Sequence, residues 1–226
     1  MNINELDVLR WVHILSMVYW LGGEWGVFQS SYNVTNAKLS LEERRRHMET
    51  AYRIDILART GIILLLPLGL HMGHIYGFQP LGGMWLTGMW VAVAAWIALA
   101  WGAFLARETD RGIALTKIDE SIRYVLIPVL FYVGISSWMG HGPLNVEAGT
   151  DWYAAKITFY AFALCIGLGL RFIMRAWTTR FRQLAEGPNP EAQAALEREI
   201  GYGRMMAYVY WVTIAGICFL GSVKPF

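Results

Sequence analysis

Apolar and polar stretches alternate along the chain on the length scale of a membrane-crossing helix. Mostly apolar stretches occur over about 8–29, 57–77, 84–105, 122–140, 152–172 and 204–222. As an α-helix, a stretch of ~20 residues matches the ~30 Å of hydrocarbon in a bilayer. The gaps between the stretches are too short to hold a second domain. The pattern therefore predicts a single integral membrane domain over residues 1–226, an all-α polytopic bundle of about six transmembrane helices.

Two polar segments contain signals for the start of a helix. Ser40 is followed three residues later by Glu43, which is the spacing of a capping box. This predicts a helix that begins there and continues into the second apolar stretch. Asn189 followed by Pro190 is a cap with a first-turn proline, which predicts a short cytoplasmic helix over about 190–200.

The composition agrees with a membrane protein. The 226 residues are 56% hydrophobic and only 16% charged, which is less charge than a soluble protein of this size carries. The first residues, MNINELDV, are acidic, and no small-residue cleavage site follows them. No secretory signal peptide is therefore predicted, and the first apolar stretch is expected to remain as a transmembrane helix.

The lysine and arginine residues predict the orientation. Sixteen of the 19 lie in or beside three alternate connections, over 30–59, 107–123 and 171–204. Only Arg10, Lys156 and Lys224 belong to the other side. By the positive-inside rule, both termini are periplasmic and the chain is a multi-pass protein of the bacterial inner (cytoplasmic) membrane. The basic residues thus indicate topology, and no binding of nucleic acid is expected.

Four of the five histidines fall at one depth of the predicted bundle. His13 lies about four residues inside the first helix, His71 and His74 lie in the outer third of the second, and His141 ends the fourth. All four are near the periplasmic face, on three different helices. Scattered core histidines would have no reason to share a depth, so this layer predicts a ligand-binding site.

The chemistry of imidazole narrows the choice of ligand. Imidazole is a good ligand for haem iron, copper and zinc, and a site without carboxylates disfavours calcium and magnesium. Two histidines on facing helices can hold haem b from both sides of the ring, which favours one or two haem b groups in this bundle. The expected iron ligands are His13 and His71, with His74 on a propionate or on a second haem.

Three further residues at this depth have expected roles around such a haem. Arg10 and Lys156 are the cations available to the haem propionates. His141 is followed by Gly142 and Pro143, so we expect it to end its helix. It is the candidate for a catalytic residue or for an exchangeable metal ligand.

A second pair of ionisable residues lies deeper in the predicted bundle. Glu24 is eleven residues from His13 and Arg59 is twelve residues from His71. These separations correspond to ~16 Å and ~18 Å along their helices. If the two helices are adjacent, Glu24 and Arg59 share a depth below the histidines, and we expect a buried structural ion pair between them.

None of the Walker, dinucleotide-binding GxGxxG, GxSxG or CxxC motifs of soluble enzymes occurs in the sequence. Three hypotheses about the function remain open. The favoured hypothesis is that the chain is a haem b-binding redox protein. If it is an enzyme, it is a membrane-bound haem-dependent oxidoreductase. It would transfer electrons near the periplasmic face between a membrane or periplasmic donor and a quinone or c-type cytochrome. The second is a copper-binding or transport protein, since HMGH and WMGH pair Met with His and Cu(I) favours thioethers. The third is an accessory subunit that anchors a redox complex, with other membrane subunits or as a homo-oligomer.

Two segments of the chain resemble a broad group of bacterial membrane proteins. LRWVHILSMVYWLGGEW is similar to the first helix of the copper-resistance D type, the HemJ-type protoporphyrinogen oxidases and the membrane domain of cytochrome-linked urate oxidases. DWYAAKITFYAFALCIGLGLR resembles their helix with a lysine near its start. In the HemJ type, the histidine of the first helix and this lysine matter for haem binding and activity. The resemblance implies these roles for His13 and Lys156.

Overall fold

The computed structural model describes residues 4–107, 109–147 and 149–226. Within these ranges the chain folds into helices only, and these are α1 (Glu5–Thr35), α2 (Leu41–Ile75), α3 (Met84–Leu105), α4 (Asp110–Trp138), α5 (Asp151–Ala185) and α6 (Pro190–Val223). Four of them, α2, α3, α5 and α6, are long and apolar enough to cross a membrane. The all-helical architecture is therefore confirmed. The count of six spans and the periplasmic position of the termini stay predictions.

The helices pack as two layers of three. Helices α1, α2 and α3 form one layer and α6, α5 and α4 form the other, with α2 and α5 in contact at the centre. Helices α1 and α2 run antiparallel, because His13 near the start of α1 lies beside Gly69 near the end of α2. Helices α5 and α6 also run antiparallel, because Lys156 near the start of α5 lies beside Gly221 near the end of α6. We call the end of the bundle where α1 begins the histidine end. The opposite end, where α2 begins, is the arginine end.

The capping signals read from the sequence are present. The Ser40 amide donates to Glu43 Oε2 at 2.9 Å and the Glu43 amide donates to Ser40 Oγ at 3.2 Å, which is a complete capping box at the start of α2. Asn189 Oδ1 accepts from the Ala192 amide at 2.9 Å and caps α6. Both helices begin where the sequence predicts.

The separate cytoplasmic helix over about 190–200 is wrong. Helix α6 continues without a break from Pro190 to Val223, a length of 34 residues. Gly201 and Gly203 do not end it, although glycine weakens a helix by ~1 kcal/mol relative to alanine. At Gly203, a Cβ atom would lie only 3.4 Å from the Ile173 side chain of α5. Packing against α5 therefore keeps this stretch helical.

Small residues allow α1 and α2 to approach closely. A Cβ atom on Gly61 would lie 2.5 Å from the Ser16 carbonyl oxygen, and one on Gly23 would lie 2.7 Å from Ala58 Cβ. Small residues at such crossings let helix backbones pack together within a bilayer. The contact seats Trp20, which is fully buried, in the centre of the bundle.

Candidate functional site

The structure places His13 in the helical core of the histidine end. Its ring packs against Gly69 of α2, where a Cβ atom would lie 3.7 Å from His13 Cε1. The Nδ1 atom is buried and has no hydrogen-bond partner among the described residues. The Lys156 ammonium, from α5, is the cation whose field acts on this ring. His13 therefore offers a buried ring nitrogen that has no hydrogen-bond partner among the described residues.

Lys156 is held in place by a close approach of α5 to α6. A Cβ atom on Gly221 would lie 2.7 Å from Lys156 Nζ, so a larger residue in α6 would displace the lysine. The neighbouring thiol is Cys218, which is not part of a disulfide. The sequence predicted Lys156 at this depth but not its packing against Gly221, which depends on how α5 packs against α6.

His71 contacts the start of α1 and helix α3. Its Nε2 lies 3.3 Å from Glu5 Oε1, and its Nδ1 accepts a hydrogen bond from Trp90 Nε1 at 3.3 Å. Both ring nitrogens are therefore engaged by protein groups. The pairing of His71 with His13 across one haem stays a prediction: His71 contacts Glu5 and Trp90, whereas His13 packs against Gly69.

His74 and His141 lie at the same end but in separate surroundings. The His74 ring packs against Gly82 in the connection to α3, and its buried Nδ1 has no hydrogen-bond partner in the part of the chain described. His141 is exposed, and its Nδ1 lies 2.6 Å from the Met139 carbonyl oxygen. Over residues 4–107, 109–147 and 149–226, no three His, Cys, Asp or Glu side chains converge to hold a metal ion. The four histidines share an end of the bundle, and they do not form one metal cluster.

Arg10 contacts an aromatic cluster at the histidine end. Its guanidinium donates to the Tyr76 hydroxyl and lies 5.9 Å from the centre of the Tyr76 ring. Tyr76 stacks on Phe78, which in turn packs edge-on against Trp152. Lys224 also lies over the Trp152 ring, at 5.1 Å. The sequence analysis did not find this cluster, because these five residues come from four separate segments of the chain.

The predicted Glu24–Arg59 ion pair is not formed. Arg59 donates to Asp55, which lies one turn earlier in α2, and Glu24 makes no salt bridge within 4.0 Å to any described residue. A partner four residues away on the same helix is within easy reach of the arginine. Glu24 and Arg59 do share a depth, because both line an internal cavity of about 70 Å³ together with Arg123 and Arg171.

A buried ion network between α4 and α5 was missed by the sequence analysis. Asp119 is fully buried, accepts a hydrogen bond from Trp96 Nε1 at 2.6 Å, and accepts another from Arg171. Arg123 Nε lies 3.5 Å from Asp119 Oδ2. From the sequence, Arg123 and Arg171 are predicted to lie in or beside the cytoplasmic connections. The usable signal was that Asp119 and Arg123 are four residues apart beside an apolar stretch.

Comparisons of the chain with protein family models, with curated proteins and with solved structures gave no match.

Proposed function

We propose that the protein is a haem b-binding membrane redox protein in which His13 is the protein's ligand to the iron. The observation that carries the proposal is the buried Nδ1 atom of His13, which has no partner among the described residues. A buried polar group without a hydrogen bond costs ~1–3 kcal/mol, which a bound group at this ring would recover. Imidazole is a common ligand of haem iron in helical proteins.

Lys156 supports the proposal as the partner of a haem propionate. Its ammonium acts on the His13 ring from the neighbouring layer of helices. An ammonium in a membrane bundle needs an anionic or polar partner, and no salt bridge to Lys156 within 4.0 Å is present in the described ranges. The resemblance to the haem-binding group rests on these same two residues, His13 and Lys156.

The proposal has one protein ligand to the iron. It includes no bond from His71 to the iron, because Glu5 and Trp90 engage both of its ring nitrogens. When bound, haem b supplies one-electron transfer. With the histidine end on the periplasmic side, as the basic residues predict, a quinone or a c-type cytochrome would be the electron partner.

The visible spectrum of the purified protein tests the proposal. We expect a Soret band that shifts on reduction with dithionite, after expression in haem-supplied cells or reconstitution with haemin. His13→Ala should remove most of this band at equal protein yield, and Lys156→Gln should weaken haem retention on dilution. His71→Ala should retain the band, and His47→Ala serves as a matched control, since His47 lies at the arginine end beside Asn33.

Two outcomes would count against the proposal. A wild-type protein that takes up no haem under either condition overturns it. A His13→Ala variant with an unchanged spectrum overturns the ligand assignment. Metal analysis of the same preparations tests the copper alternative, which predicts about one copper or more per chain and no Soret band.

A further inference from the structure

A large cavity opens at the arginine end, far from the histidines. It lies between α2, α3, α4 and α5 and has a volume of about 1010 Å³, which is at the upper end of the ~300–1,000 Å³ typical of small-molecule sites. Part of its wall is apolar and comes from Met48, Phe104, Met174 and Phe181. The cavity is therefore large enough for an organic ligand and has both apolar and charged surfaces.

Positive charge dominates the wall of this cavity. Seven cationic side chains line it, against three acidic ones. Four of the cations have acidic partners, since Arg59 pairs with Asp55, Arg107 with Glu49, and both Arg171 and Arg175 with carboxylates of α4. The remaining three of the seven have no salt bridge within 4.0 Å to any described residue, and these are Arg45, Lys117 and Arg182.

These three cations come from three different helices and line one cavity. Arg45 belongs to the start of α2, Lys117 to the first half of α4 and Arg182 to the end of α5. All three side chains are exposed. Cations brought together from separate elements repel each other, and an anion between them relieves that repulsion. Arginine in particular binds phosphate with two parallel hydrogen bonds.

We propose that this cavity binds a phosphate-bearing ligand, with Arg45, Lys117 and Arg182 as its phosphate contacts and the apolar wall against its organic part. The same chemistry belongs to the headgroup of an anionic phospholipid and to a soluble organic phosphate. Basic pockets between transmembrane helices on the cytoplasmic side bind anionic headgroups in other membrane proteins. The site is independent of the haem proposed at the opposite end.

Thermal unfolding of the full-length protein in lipid nanodiscs tests this site. One preparation uses phosphatidylcholine alone, a second adds phosphatidylglycerol, and a third adds pyrophosphate to phosphatidylcholine nanodiscs at matched ionic strength. We expect Tm to rise in the second or the third preparation. A rise with phosphatidylglycerol alone identifies a lipid headgroup, and a rise with pyrophosphate identifies a soluble phosphate.

Two triple variants separate the cavity from general surface charge. R45Q/K117Q/R182Q removes the three proposed phosphate contacts. For whichever ligand raises the Tm of the wild type, we expect the Kd to rise on the order of 100-fold or more. R53Q/R111Q/R198Q removes the same charge from exposed residues outside the cavity and should change the Kd by less than about threefold. The single variants of each cavity cation are measured too, so that the test survives a triple variant that fails to fold.

Two results would overturn the proposal. The first is a wild-type Tm that neither phosphatidylglycerol nor pyrophosphate raises. The second is an equal loss of ligand-dependent stabilisation in the cavity and control variants, which would mean that the ligand responds only to the net charge of this end.

Discussion

Asp119 offers the sharpest test of how charge is held inside this bundle. It has no exposed surface, and it receives hydrogen bonds from Arg171 and from Trp96 Nε1, with Arg123 Nε at 3.5 Å. Asp119→Asn keeps the size of the side chain and an oxygen that can accept from Trp96. It removes only the negative charge between the two arginines.

The expected cost follows from the charge that remains. Removing one partner of a buried ion pair typically costs ~3–5 kcal/mol, because the other charge stays buried without compensation. The remaining acid near Arg171 is Glu120, whose Oε1 lies 3.9 Å from Arg171 Nε. For a chain of about this length, 1 kcal/mol corresponds to ~2–4 °C in Tm. Asp119→Asn should therefore lower Tm by ~6–20 °C.

Two other variants set the scale for this prediction. Glu120→Gln removes a carboxylate whose main partner, Arg175, has a side chain that is 51% exposed. Arg175 can become hydrated again, so we expect a smaller loss of ~1–2 kcal/mol. Glu42→Gln breaks a pair with Arg46 in which both side chains are 75% exposed, and it should cost less than ~0.5 kcal/mol.

Thermal unfolding of the purified variants in one detergent measures the order. The double variant D119N/R171Q should be less destabilised than the sum of its two single variants, because it removes the uncompensated charge. The reasoning fails if Asp119→Asn lowers Tm no more than Glu42→Gln does. That result would mean that water reaches the network and screens it.

Three further predictions concern packing and topology. Gly61→Ala should lower the free energy of unfolding by ~1–3 kcal/mol, because its Cβ would lie 2.5 Å from a carbonyl oxygen of α1. Gly22→Ala is the control and should be nearly neutral, because its Cβ would have no atom within 4 Å. Thermal unfolding measures both variants. Trp20→Phe should lower the free energy of unfolding by ~1–3 kcal/mol, because the buried Tyr210 hydroxyl loses the hydrogen bond that Trp20 Nε1 donates to it at 3.0 Å. An equal loss of stability in Trp85→Phe, at an exposed tryptophan, would refute this reason. Reporter fusions in the α2–α3 and α4–α5 connections should be periplasmic and those in the α3–α4 and α5–α6 connections cytoplasmic, and the reverse pattern would refute the orientation.

Local signals in the sequence were enough for the helices and their starts. The length of the apolar stretches predicted an all-helical bundle, and the caps at Ser40 and Asn189 lie where the spacing of polar residues put them. These features depend on residues within about one turn of each other, so the sequence contains all the information they need. The position of each histidine along the chain relative to its helix followed from the same local patterns.

Rotation about the helix axis could not be read from the sequence. His13 and His71 were expected to face one haem, yet His71 contacts Glu5 and Trp90 while His13 lies beside Gly69. Both helices are apolar on several sides, so periodicity does not say which side faces which neighbour. The packing of three helices in each layer decides it.

The triple Arg44–Arg46 shows most plainly what only the tertiary structure determines. Arg44 is buried and donates to the Val34 carbonyl at 2.9 Å, Arg45 lines the large cavity, and Arg46 pairs with Glu42 at the surface. From the sequence, these three consecutive arginines predicted only which side of the membrane this segment lies on. Successive residues of a helix are rotated by ~100° about its axis. Arg44 therefore contacts the end of α1, Arg45 lines the cavity and Arg46 is exposed to water. Their different roles come from the neighbours that the fold supplies.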